Sequence, residues 1–156
     1  MYLLAILGVI LSVVLMGTMS EMGMMNSLGS CIDVYSLLLV VIIVIPVMAS
    51  MGMLKDFNLA FKLTLGKKQA GSLSELKRAK QAVSYFIRST LCAGAVGTLF
   101  GVIQVLSFFR DELAQLTAGL GVAVCSLLYA FVIAIVLLPI EARLERKMIE
   151  FMENEE

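Results

Sequence analysis

Four apolar runs alternate with polar segments along the chain. They are Tyr2–Thr18, Val34–Leu54, a run within Ala82–Phe109 that is most apolar from Leu91 on, and Leu116–Ile140. Each is close to the roughly 17–25 residues with which a helix crosses a hydrocarbon layer about 30 Å thick. No water reaches backbone N–H and C=O groups in that layer, so such runs fold as helices that satisfy themselves. The pattern predicts an all-α integral membrane protein, a single domain over residues 1–156 with spans at about 2–18, 34–54, 86–109 and 116–140. The opening "MYLLAILGVI" has no basic residue ahead of its apolar core. It therefore reads as a retained span rather than a cleaved leader.

The polar segments differ sharply in charge. "MSEMGMMNSLGSCID" holds no base, and Asp33 at its end is placed to cap the second span. The segment between spans two and three carries Lys55, Lys62, Lys67, Lys68, Lys77, Arg78, Lys80 and Arg88. "RDELAQ" contributes Arg110 alone, and the tail 141–156 contributes Arg143, Arg146 and Lys147. Eleven of the twelve Lys and Arg residues thus fall on one side of a four-span protein. The positive-inside rule places the central segment and both termini in the cytoplasm, and the protein in the cell membrane as a multi-pass chain.

The central segment, about 55–85, reads as a short cytoplasmic helical hairpin. Phe57, Phe61 and Leu65 recur at four-residue spacing among lysines, an amphipathic helix that Gly66 ends. Ser72 followed by Glu75 is a capping box. Leu73, Leu76, Ala79 and Val83 continue at helical spacing, so this second helix can run unbroken into span three. The basic hairpin suits anionic lipid of the bilayer or, alternatively, a cytoplasmic partner.

Composition narrows the chemistry. The chain is 60% hydrophobic and 15% charged, with zero formal net charge and no histidine. The commonest general base and metal ligand is therefore missing. Cys31, Cys92 and Cys125 stand apart with no metal-ligand or redox spacing and read as small, buried, reduced residues. No nucleophile–base pair emerges, so no enzyme, metal, cofactor or nucleic-acid partner is expected.

Spans three and four carry a shared device. Gly94, Thr98 and Gly101 lie on one helical face with Gly97 beside them, while Leu99, Phe100, Val102, Ile103 and Leu106 cover the rest. Gly119, Ala123, Ser126, Ala130 and Ala134 form a similar small face in span four. Helices in lipid associate through such faces, because small residues let backbones approach closely. Two roles are open to them: packing of spans three and four on each other, or a bed for a helix of another chain with Thr98 and Ser126 bordering a polar path. None of the apolar cores contains Asp, Glu, Lys, Arg or His, and Gln104 is the most polar group within a span. An ion route through lipid normally needs an ionisable group, so a carboxylate would have to come from a partner.

"GAVGTLFGVIQVL", a short acidic loop and "GLGVAVCSLLYAFVIAIVLLPIEARL" together resemble the MotA/TolQ/ExbB proton-channel family. Its third-span pattern of Gly-x-x-Gly-Thr-x-x-Gly is matched by Gly94, Gly97, Thr98 and Gly101. Its fourth-span features are matched by Ser126, Leu128-Tyr129 and the Leu138-Pro139-Ile140 exit, and "SCIDVYSLLLVV" is similar to the MotA opening of span two. The resemblance implies a homo-oligomeric ring, a pentamer in that family, around single-span partner helices that bring the ion-binding Asp. Thr98 and Ser126 would line the ion path, and Pro139 would mark the cytoplasmic exit. Two features depart from the family: "STLCAGAVG" has no proline early in span three, and the cytoplasmic part is reduced to about 35 residues by these span limits. The expected function is the channel-ring subunit of an ion-driven motor using proton or sodium flow. The alternative is a small homo-oligomeric membrane scaffold with the ring fold and no transport.

Overall fold

The computed structural model describes residues 34–65, 71–108 and 113–153. Span one, Asp33, Gly66 and Cys31 lie outside the described residues. The described residues form four helices in order: α1 (Val34–Ser50), α2 (Leu54–Thr64), α3 (Leu73–Phe108) and α4 (Leu113–Glu153). No strand occurs among the described residues. α1 is rich in Val and Ile, which favour strands in water. Its helical form follows from the need to pair every backbone group within the segment.

The second span ends earlier than the apolar pattern suggests. α1 stops at Ser50, and Leu54 already opens α2. Gly52 has φ +67°, with its N–H on Ala49 O (3.0 Å) and the Met53 N–H on Met48 O (3.2 Å). This paired arrangement closes the last turn of a helix and needs a residue free of a Cβ at the left-handed position. The chain leaves it bent by 101°, so α2 runs nearly perpendicular to α1. α3 and α4 are each long and apolar enough to cross a membrane, and bent α1–α2 supplies a third span only if taken as one unit.

α2 is amphipathic; Phe57 and Phe61 pack against the core as expected, but the most buried positions are Ala60 and Leu63 and not Leu65. Ala60 and Leu63 are fully buried while Leu65 is 61% exposed. Phe57 anchors the helix by stacking on Phe86 of α3, ring centroids 4.4 Å apart, and meets Phe61 edge-on at 5.1 Å. Ala60 and Leu63 join Leu76, Ala79, Val83, Leu137, Ile140 and Leu144 in the main core. That core lies toward the charged ends of α3 and α4. A smaller cluster of Val40, Val44, Met48 and Ala93 fastens α1 to α3.

α3 is one uninterrupted helix of 36 residues, so the second half of the hairpin is its first turns. Its start is capped as the sequence suggests, with the Glu75 N–H on Ser72 Oγ at 3.3 Å. The returning carboxylate accepts from the Gly71 N–H at 3.2 Å. α4 extends for 41 residues through Pro139 to Glu153. Helix therefore continues past Pro139 into the tail as far as Glu153. Proline removes one N–H from the ladder and costs roughly 3 kcal/mol in a helix interior. Leu137, Ile140 and Leu144, all buried, hold the helix on both sides of it.

Candidate functional site

The site is built where the two small-residue faces meet. α3 and α4 run antiparallel, and each glycine is matched to a position on the opposite helix. A Cβ at Gly94 would overlap that of Ala130, and one at Gly101 would come within 2.8 Å of Ala123 Cβ. At Gly119 it would reach Val105 Cγ2 at 2.8 Å, and at Gly97 both Ser126 Oγ and Leu39 Cδ2 at 3.0 Å. Cβ atoms essentially never sit as close as those at positions 94, 101 and 119 would, so a side chain there would force the helices or their side chains to shift, while position 97 is tight against side-chain ends. Ala123, Ala130 and Ala134 are buried in the same seam. The centres of the two stripes are filled by the chain's own helices, leaving no room there for a helix of another chain.

Thr98 and Ser126 meet in the middle of this seam. Their hydroxyl oxygens are 3.0 Å apart. Thr98 Oγ1 can donate to Gly94 O at 3.0 Å, and Ser126 Oγ to Gly94 O at 3.2 Å or Ala123 O at 3.1 Å. Two hydroxyl protons thus share two carbonyl acceptors and each other. Hydroxyl hydrogens rotate to suit their partners, so the pair can exchange donor and acceptor roles without losing a hydrogen bond. Ser126 is 3% exposed, and no buried side-chain polar atom is left unpaired among the described residues.

Beside the pair lies a cavity of about 400 Å³ between α1, α3 and α4. Ser36, Leu39, Gly97, Phe100, Gln104 and Ser126 are among its lining residues. Gln104 is exposed and sits on its wall rather than inside the seam. Sequence reading did not join Ser36 or Leu39 to this site. The spacing within one span gives a face but not which neighbouring span closes over it. The outward faces of α3 and α4 carry Leu99, Phe100, Ile103, Phe131 and Ile135, all about half exposed or more. Such surfaces suit lipid or further protein.

The cysteines divide. Cys125 is buried with its Sγ 3.5 Å from Gly121 O, as a small core residue should be. Cys92 is exposed on α3, contrary to the expectation of burial. It falls on the face opposite the small stripe, where a short side chain leaves a hollow. No group of acidic, histidine or cysteine side chains able to hold a metal occurs among the described residues.

The profile of the MotA/TolQ/ExbB proton channel family matches residues 45–156. The chain belongs to this family. The match includes α2, α3 and α4 and the whole hydroxyl seam. No curated protein and no solved structure matches the chain. Family membership makes it a membrane protein of a channel family, which agrees with α3 and α4 being able to span a bilayer.

Proposed function

We propose that the chain is a channel-ring subunit of an ion-driven membrane motor. Copies of it form a closed ring, a homopentamer by the family likeness, around a single-span partner that carries the ion-binding Asp. One observation carries this reading. The membrane-crossing turns Ser89–Phe108 and Leu113–Ile140 contain no Asp, Glu, Lys, Arg or His, yet a hydroxyl pair, Thr98 and Ser126, lies within them. An ion route needs an ionisable group, and the chain provides polar relays without one. The partner supplies the charge, and the hydroxyls supply the bordering donors and acceptors for a proton or sodium ion. The partner helix meets the open edge of the seam, where Gln104 and Ser126 border the cavity, rather than the glycines themselves. Both termini and the basic segment face the cytoplasm by the charge asymmetry.

A second reading has its own support. Thr98 and Ser126 bond to each other and to Gly94 O, so packing alone accounts for them. On that reading the chain is a homo-oligomeric scaffold without transport.

Proton flux into liposomes separates the two. The chain is reconstituted alone and with a co-expressed single-span protein bearing an Asp in its span. The motor reading expects partner-dependent flux that falls about tenfold or more in Thr98→Ala and Ser126→Ala, the scale of one lost charge-stabilising contact. Absence of partner-dependent proton or sodium flux sinks it in favour of the scaffold.

A further inference from the structure

Arg88 and Tyr85 border two hollows of opposite character. The first, about 440 Å³, is lined by Lys77, Lys80, Ser84, Tyr85 and Arg88 of α3 with Met148 of α4. The second, about 320 Å³, runs between α1 and α3 past Ile43, Val47, Cys92, Ala93 and Val96. Tyr85 and Arg88 line both. One hollow is cationic and hydroxyl-bearing, and the other is almost wholly apolar.

Their depth fits the same division. From Ser89 to Phe108 α3 carries no charge over 20 positions. At 1.5 Å per residue that is about 30 Å, one hydrocarbon thickness. Arg88 is therefore the boundary residue, the apolar groove runs inward from it, and the basic hollow extends outward by about three turns. The lining holds three cations, Lys77, Lys80 and Arg88, and no carboxylate, while Glu145 is bonded to Lys80 at 2.7 Å.

We propose that these adjoining hollows bind an anionic phospholipid, its phosphodiester held by Ser84 and Arg88 with Lys77 and Lys80 lending their charge from farther out, and one acyl chain lying along Ile43, Cys92 and Val96. A free phosphate ion would use the basic hollow but leave the apolar groove unexplained. An acidic peptide entering the groove would carry its backbone into the charge-free turns, where its polar groups would lack partners. A zwitterionic lipid brings its own cation against three others. The anionic lipid satisfies the charge, the apolar lining and the depth together, and the juxtamembrane bases are of the kind that attract it.

The chain has no tryptophan, which gives a clean test. Leu99, one turn beyond Val96 and 65% exposed, is replaced in Leu99→Trp as the groove reporter. Leu128→Trp, on an exposed position of α4 at similar depth, reports bulk lipid. Each variant of the full chain is reconstituted in phosphatidylcholine vesicles with a minor fraction of brominated phosphatidylglycerol or brominated phosphatidylcholine. The groove reporter is expected to be quenched as though phosphatidylglycerol were enriched about tenfold, and the α4 reporter with no preference. Lys77→Gln with Arg88→Gln should abolish that preference while the helical signal and elution volume stay unchanged. If that pair fails to fold, Cys92→Phe, which fills the groove and spares the cations, should lower the quenching instead. Equal quenching at the two reporters overturns the proposal, whether bulk lipid or a second copy of the chain covers the groove. Loss of the preference on adding inorganic phosphate also overturns it, because a soluble anion would then be the ligand.

Discussion

Lys147 Nζ donates to the backbone carbonyl of Leu63 across 2.6 Å, joining residues 84 apart in sequence. Leu63 is fully buried and lies in the last turn of α2, where carbonyls have no partner within the helix. A charged donor on such an acceptor is worth about 1.5–3 kcal/mol. Lys147→Met keeps the stem but removes the donor. It is expected to destabilise the fold by about 2 kcal/mol. Hydrogen exchange in α2 should rise first, and unchanged protection there would show that the bond holds nothing.

Lys80 and Glu145 give the contrasting case. Their 2.7 Å ion pair connects the two long helices α3 and α4, but the side chains are 27% and 52% exposed. Solvent screens such a pair, so Lys80→Gln is expected to cost about 0–1 kcal/mol and less at high salt. Thermal unfolding in detergent at two ionic strengths reads both effects. A cost as large as that of Lys147→Met would contradict this ranking.

Gly94 and Gly121 should respond in opposite directions to the same change. Gly94→Ala drives a methyl into Ala130 and is expected to destabilise by about 1–3 kcal/mol. Nothing lies within 4 Å of a Cβ at Gly121, so Gly121→Ala should be neutral or stabilising by up to about 1 kcal/mol. Ala130→Gly should recover much of the Gly94→Ala loss. A double-mutant cycle with no coupling between positions 94 and 130 would disprove the close approach.

Ser72 is tested by Ser72→Ala. Losing the bond to the Glu75 N–H should fray the first turn of α3 and cost about 1 kcal/mol. Ser72→Asp should retain the cap. Amide exchange at Glu75 and Leu76 distinguishes the two, and equal protection in both variants would rule out capping by the side chain.

Much of this architecture could be read from the residues, for reasons that also mark the limit. The helical spacing of Leu73, Leu76, Ala79 and Val83 predicts a helix continuous with the third span, and α3 is that helix. The small faces on either side of Thr98 and Ser126 are visible as periodicity, because helix geometry fixes which side chains share a side. What meets each face is a tertiary fact, and periodicity is silent on it. Hence the two faces proved to lie against each other. Gly52 is a single glycine in an apolar run, and only its positive φ shows that it stops α1. Leu65 sits in step with Phe57 and Phe61, yet α2 ends before it and leaves it exposed. Cys92 looked like a core residue by type, but its surroundings on α3 are open.

The length of α3 has a mechanical consequence. Its 36 residues make a rod about 54 Å long, well beyond the bilayer core, and it contains neither a proline nor a break. A small tilt among the buried turns is therefore delivered whole to the charged end. With an arm of about 25 Å outside the core, a tilt of about 5° displaces that end by about 2 Å. The stacked rings of Phe57 and Phe86 make α2 ride on the same lever.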